Sequence, residues 1–151
     1  MALKVGDTVP QFSGLDAFGK TFDSSTYFGK KWLVVYFYPK DDTPGCTTQA
    51  CSFRDAYQDF TDLGVAVVGI SSDSVPSHLK FQSKFNLPFI LLADTKKEIR
   101  KLFGVPNDFM GLLDGRATYV IGLDQKIHYI FDSIGGKRHM ENALAFLKSV
   151  I

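Results

Sequence analysis

An unbroken run of apolar and aromatic residues, Trp32-Leu-Val-Val-Tyr-Phe-Tyr38, constrains this chain more than any other stretch. A strand with one wet face alternates apolar and polar residues. A continuous run rich in β-branched and aromatic residues reads instead as a strand buried in the centre of a sheet. A loop holding Pro39, Asp41, Asp42, Thr43, Pro44 and Gly45 follows. From Pro44 to about Asp62 the period becomes helical, with Ala50, Phe53, Tyr57 and Phe60 at steps of three and four and Gly64 as the C-terminal stop.

The same alternation continues along the chain. Val65 to Ser71 predicts a second buried strand, and Val75 to Phe85 an amphipathic helix whose apolar stripe runs through Leu79, Phe81 and Phe85. Phe89 to Leu92 predicts a short strand, Lys96 to Phe103 a short helix ended by Gly104, and Val105 to Arg116 a loop. Ala117 to Leu123 and Lys126 to Phe131, split by Asp124-Gln125, predict a hairpin. Arg138 to Val150 predicts a last amphipathic helix through Met140, Leu144 and Leu147, and weak strand signals precede Trp32 at Gln11 to Leu15 and Lys20 to Phe22. The order β-α-β-α-β-α-β-β-α implies a central mixed β-sheet flanked by helices, with parallel pairing early and an antiparallel edge late.

Composition narrows the function. The chain has 151 residues, enough for one compact domain spanning 1–151, and its 45% hydrophobic and 22% charged content is that of a globular protein. A net charge of +1 gives no electrostatic footprint for nucleic acid or an acidic membrane. No apolar run reaches the length of a bilayer span. The first residues lack a signal-peptide core, so a cytoplasmic location is the default expectation; a trimmed, mature organellar protein would read the same way. His78, His128 and His139 are scattered without ligand spacing, which predicts surface or packing roles and no metal. Lys40, Asp41 and Asp42 read as a solvated rim.

The two cysteines stand five positions apart, at the start of the predicted helix. Thr43 falls at the N-cap and Pro44 at the first helical position, where a missing N–H costs nothing. Cys46 therefore lies in the first turn, where free N–H groups and the positive end of the helix dipole favour a thiolate, the nucleophilic form of cysteine. Cys46 shares the stripe of Ala50 and Phe53, whereas Cys51 turns toward the polar side with Arg54 and Asp55. On ideal helix geometry their Cα atoms are roughly 8.6 Å apart. A disulfide needs about 7 Å or less, so the two thiols bond only if the first turns unwind. A bland reading stays open at this point: two small hydrophobes in a helix.

The stretch Pro39-Lys-Asp-Asp-Thr43-Pro-Gly-Cys46 resembles the peroxiredoxin motif P-x-x-x-T-x-x-C. With Tyr36-Phe-Tyr38 before it and Thr47-Thr-Gln-Ala-Cys51-Ser-Phe-Arg-Asp55 after it, the segment is similar to the PrxQ, or bacterioferritin comigratory protein, subfamily. Lys4-Val-Gly-Asp7, Pro10-Gln-Phe12, Gly69-Ile-Ser71 and Gly115-Arg-Ala-Thr-Tyr-Val-Ile121 extend the likeness over essentially the whole chain. Gly122-Leu-Asp124 departs from it, since the family commonly carries an acidic residue directly after Ile121; a local turn difference is expected. The resemblance implies a thioredoxin-like fold with an N-terminal β extension. It implies a peroxidase, with no cofactor, that reduces hydrogen peroxide and organic hydroperoxides. Cys46 would be the peroxidatic nucleophile, passing through a sulfenic acid, and Cys51 the resolving thiol of an intramolecular disulfide. Thr43 would hydrogen-bond the thiolate or peroxide, Pro39 would shield the thiolate, Arg116 would supply positive charge, and backbone N–H groups of Gly45 and Cys46 would donate to the peroxide. The implied partners are a peroxide and thioredoxin or a similar dithiol, and a monomer suffices. Phe109 to Leu113 is an apolar loop that could line the entrance. A general thiol–disulfide oxidoreductase and a redox-regulated holdase are the competing readings.

Overall fold

The computed structural model describes residues 2–108 and 113–151. The strands are β1 (Ser13–Asp16), β2 (Thr21–Asp23), β3 (Trp32–Phe37), β4 (Val65–Ser71), β5 (Ile90–Ala93), β6 (Asn107–Asp108), β7 (Leu113–Asp114), β8 (Ala117–Ile121) and β9 (Ile127–Asp132). The helices are α1 (Pro44–Asp55), α2 (Tyr57–Asp62), α3 (Val75–Phe85), α4 (Glu98–Phe103) and α5 (His139–Val150). Seven strands form one mixed sheet in the order β2-β1-β5-β4-β3-β8-β9, and β6 and β7 pair separately. β3, β4 and β5 run parallel, whereas β8 is antiparallel to both β3 and β9.

The opening strand run is explained by cover on both faces. Val34, Tyr36 and Tyr38 enter one core with Cys46, Phe53, Phe60 and Phe81; Leu33, Val35 and Phe37 enter the other with Phe12, Ile99 and Phe103. Period-2 alternation thus distributes one apolar run over two cores, which is why no polar residue interrupts it. The N-terminal hairpin β1–β2 extends the sheet beyond β5.

Three expectations need correction. The helix expected from Pro44 to Asp62 is broken: Ala56 takes φ −97°, ψ 6°, separating α1 from α2. On α3, Leu79 is 40% exposed and His78, fully buried, takes its inward place. The stretch expected as loop from Val105 to Arg116 contains the short β6–β7 pair. The departure at Gly122 is local. Gly122 opens the β8–β9 turn with an N–H bond to Lys126 O, and a Cβ there would come within 2.5 Å of the His128 ring. Phe109 to Met110 and Gly111 to Leu112, most of the expected entrance loop, lie outside the described residues.

Candidate active site

The site forms where β3 ends and α1 begins. Pro44 occupies the first helical position and Thr43 caps it in extended conformation. The cap is not the side-chain kind that the sequence suggested: the Thr43 hydroxyl donates to Lys40 O (2.9 Å), and its carbonyl accepts from Thr47 N (2.8 Å). Gly45 and Cys46 follow at the second and third positions, where backbone N–H groups have no partner within the helix. Cys46 is 1% exposed; Cys51, also a free thiol, is half-buried on the same continuous helix. Phe53 anchors that helix, stacked on Tyr36 with ring centroids 4.6 Å apart.

Arg116 is buried rather than solvated, at 5% exposure. It lies immediately before β8, which pairs with β3 and so faces the head of α1. Its Nη2 would lie 3.2 Å from a Cβ on Gly45, placing the guanidinium against the first turn. Nη1 donates to Gln49 Oε1 and Nε to Ile134 O (3.0 Å). A guanidinium with two fixed acceptors loses little freedom when it meets a third. Glycine at 45 leaves room for this approach. Gly136 comes equally near from the other side, since a Cβ there would sit 2.4 Å from Gly45 O and 3.2 Å from Gln49 Cβ. The turn after β9 therefore lies directly on the first turn of α1. His139 holds that turn: its Nε2 donates to Ser133 O (2.9 Å), and its Nδ1 accepts from the Thr118 hydroxyl (2.8 Å). Burial, foremost, pushes the His139 pKa down from 6.5 to about 4, which keeps the ring neutral.

The structure thus brings Cys46, Gly45 and Arg116 together, with Pro39 and Thr43 in the preceding loop. Three participants escaped sequence reasoning. Gln49 is fully buried one turn after Cys46, and its Nε2 has no hydrogen-bond partner among the described residues. Arg100 is buried beneath the loop, donating to Gly115 O (2.8 Å) and Tyr38 O (3.3 Å). Asp41, expected on a solvated rim, is 8% exposed and bonded on every side. Tyr38 Oη donates to its Oδ1 (2.7 Å), Ser77 Oγ to its Oδ2 (2.8 Å), and His78 Nδ1 lies 2.7 Å from Oδ2. Asp41 N donates to Asp73 Oδ2 (2.8 Å), which also accepts from Ser71 Oγ (2.6 Å). Asp41, Asp73 and His78 hold ligating atoms within 4.8 Å of one another, a proximity that sequence spacing did not reveal, but hydrogen bonds already engage these atoms. The only signal for Gln49 was its i+3 spacing from Cys46; the other two had none.

A buried thiol in the first turn of a helix, with a buried guanidinium against the same turn, is an arrangement suited to cysteine redox chemistry. Residues 5–130 match the AhpC/TSA family, so the chain belongs to that family, the peroxiredoxins, which are thiol-dependent peroxidases. Within it the similarity points to peroxiredoxin Q. The chain is 44% identical over 146 residues to the chloroplastic peroxiredoxin Q of Sedum lineare, covering 96% of this chain and 78% of that one. It is 45% identical to the chloroplastic peroxiredoxin Q of Populus jackii, covering 96% and 68%. Among solved structures it resembles peroxidoxin BcpB from Mycobacterium tuberculosis, with 34% identity, 99% of each chain covered and a TM-score of 0.90. A PrxQ variant from Xylella fastidiosa superposes with a TM-score of 0.91 at 29% identity, covering 99% and 98%. The thioredoxin-like architecture is thereby shown along with the family. No helix among the described residues is long and apolar enough to cross a membrane.

Proposed function

We propose that this peroxidase works through Cys46 and Cys51 in one chain and is recycled by thioredoxin or a similar dithiol. The Cys46 thiolate attacks the nearer oxygen of a hydroperoxide. The O–O bond breaks, the sulfur keeps one oxygen as a sulfenic acid, and the other leaves as water or an alcohol after taking up a proton. The Cys51 thiol then attacks the sulfenic sulfur, closing the disulfide and releasing water. Dithiol exchange returns both thiols. Arg116 and the N–H groups of Gly45 and Cys46 stabilise the thiolate and the charge developing on the departing oxygen. The Thr43 hydroxyl, which now bonds Lys40 O, turns to the bound peroxide. Pro39, half-buried in the loop, limits water at the sulfur.

The observation that carries this reading is the buried Cys46 in the first turn of α1, with the Arg116 guanidinium against Gly45. Cys46 and Cys51 occupy one continuous helix, so ideal geometry leaves them too far apart to bond. Local unwinding of α1 is therefore part of the cycle. Purified protein should consume peroxide, and Cys46→Ser should abolish it; intact turnover in Cys46→Ser refutes the reading. Peptide mass spectrometry after stoichiometric peroxide should find a Cys46–Cys51 bridge. In Cys51→Ser it should find sulfenic or sulfinic Cys46.

A further inference from the structure

We propose that His78 and Asp41 form a positioning pair that fixes the loop leading into Cys46, and so sets how fast Cys46 meets peroxide. The inference rests on the peroxidase reading but concerns residues outside the thiol chemistry.

His78 is fully buried on α3, and both ring nitrogens are engaged. Nε2 faces Leu92 O at 2.8 Å; a carbonyl only accepts, so Nε2 carries a proton. Nδ1 faces Asp41 Oδ2 at 2.7 Å, a distance that also requires a proton between the two atoms. The pair therefore stores one proton, as imidazolium and carboxylate or as two neutral groups. Either way it is neutral overall and fully bonded, which makes such burial tolerable. Tyr38 supports it as a permanent donor, because burial, and then the Asp41 charge, push its hydroxyl well above the ordinary phenol range.

What this pair restrains is a strained turn. Asp42 adopts φ +55°, the left-handed region, between the anchored Asp41 and Thr43. A non-glycine residue there is disfavoured and persists where surrounding contacts impose it. The ion pair from Lys84 to Asp42 is exposed on both sides and contributes little. Restraint falls to the Asp41 side, through Tyr38, Ser77, His78 and Asp73. Once Asp41 is released, Asp42 can relax. Thr43, bonded to Lys40 O, then moves with the loop, and with it the start of α1. A displacement of about 1 Å at a reacting centre costs roughly 100-fold in rate.

The test uses the Cys51→Ser background, where Cys46 reacts once, and two probes of the same sulfur, hydrogen peroxide and iodoacetamide. General loosening of the site exposes Cys46 to both reagents alike. Misplacement of the loop penalises peroxide selectively. Asp41→Ala should lower the peroxide-to-iodoacetamide rate ratio at least about tenfold. Asp41→Asn, which keeps the acceptor for Tyr38 and turns its NH2 toward a neutral His78 Nδ1 and the Ser77 hydroxyl, now an acceptor, should recover most of that loss. His78→Gln, a smaller packing change, should lower the ratio in the same direction and serves if Asp41→Ala does not fold. An unchanged ratio in Asp41→Ala and His78→Gln, or Asp41→Asn as impaired as Asp41→Ala, overturns the proposal. If the Cys51→Ser parent itself fails to react with peroxide, the peroxidase reading has failed, a result distinct from any change in ratio between variants.

Discussion

Replacing Gly136 by alanine should accelerate disulfide closure. The backbone of Gly136 lies outside the left-handed region, so alanine brings no torsional strain and its effect is purely steric. Its Cβ would stand 2.4 Å from Gly45 O, inside the 3.0 Å floor for such contacts, and 3.2 Å from Gln49 Cβ. Overpacking of this kind costs about 1–3 kcal/mol. The strain exists only while the first turn of α1 is formed, because unwinding carries the Gly45 carbonyl away. Opening is thus favoured by the same amount, about 5- to 150-fold in the equilibrium. If opening limits the Cys51 attack, closure should speed up by a factor in that range. Sulfinic acid should then accumulate less at high peroxide, because the sulfenic acid is shorter-lived. Stopped-flow fluorescence of Trp32, the one tryptophan, can separate Cys46 oxidation from closure. Mass spectrometry counts the sulfinic product. A closure rate unchanged within about twofold, alongside a lowered thermal midpoint, would mean that the turn after β9 yields rather than α1, and would refute the reasoning.

Two further outcomes follow from the site. Arg116→Met should slow Cys46 oxidation by about 100-fold or more, the usual cost of losing a preorganised charge donor. It should also destabilise the fold by about 1–3 kcal/mol, because Gln49 Oε1 and Ile134 O lose their donor; peroxide kinetics and urea titration read the two effects separately. His139 should make the fold acid-sensitive. Its folded pKa of about 4 lies below the ordinary 6.5, so between those values the unfolded chain binds more protons and stability falls as pH drops. Denaturant titrations should lose about 2 kcal/mol from pH 7 to pH 5, and His139→Asn should flatten that difference.

Secondary structure was legible wherever one signal dominated. The run at Trp32 to Tyr38 had no competing reading, and Pro44 with Gly64 bracketed the helical region. The break at Ala56 was hidden because Ala50, Phe53, Tyr57 and Phe60 keep their spacing straight through it. The placement of Cys46 in the first helical turn was legible because Thr43 and Pro44 are local start signals. Burial of Asp41, Gln49 and Arg100 was not, because it depends on what α3, β8 and β5 bring across the sheet. A polar loop residue looks solvated until the Tyr38, Ser77 and His78 side chains are seen to surround it. His78 misled in the opposite sense: the period assigned the inward place to Leu79, while paired hydrogen bonds let a histidine occupy it.

The break at Ala56 acts as a firebreak. Ala56 still donates to Ser52 O (3.1 Å), and Asp59 bonds back to Ala56 O (2.9 Å), so the two helices abut without sharing a continuous register. Melting that spreads from Cys46 toward Cys51 meets Phe53, stacked in the core, and then this discontinuity, while Phe60 keeps α2 seated. Opening therefore costs a few residues of helix and not the whole segment. The standing last turn also spares regrowth its nucleation penalty. Helix elongation takes about a nanosecond per residue, so regrowth of these turns is not the slow step of the proposed cycle.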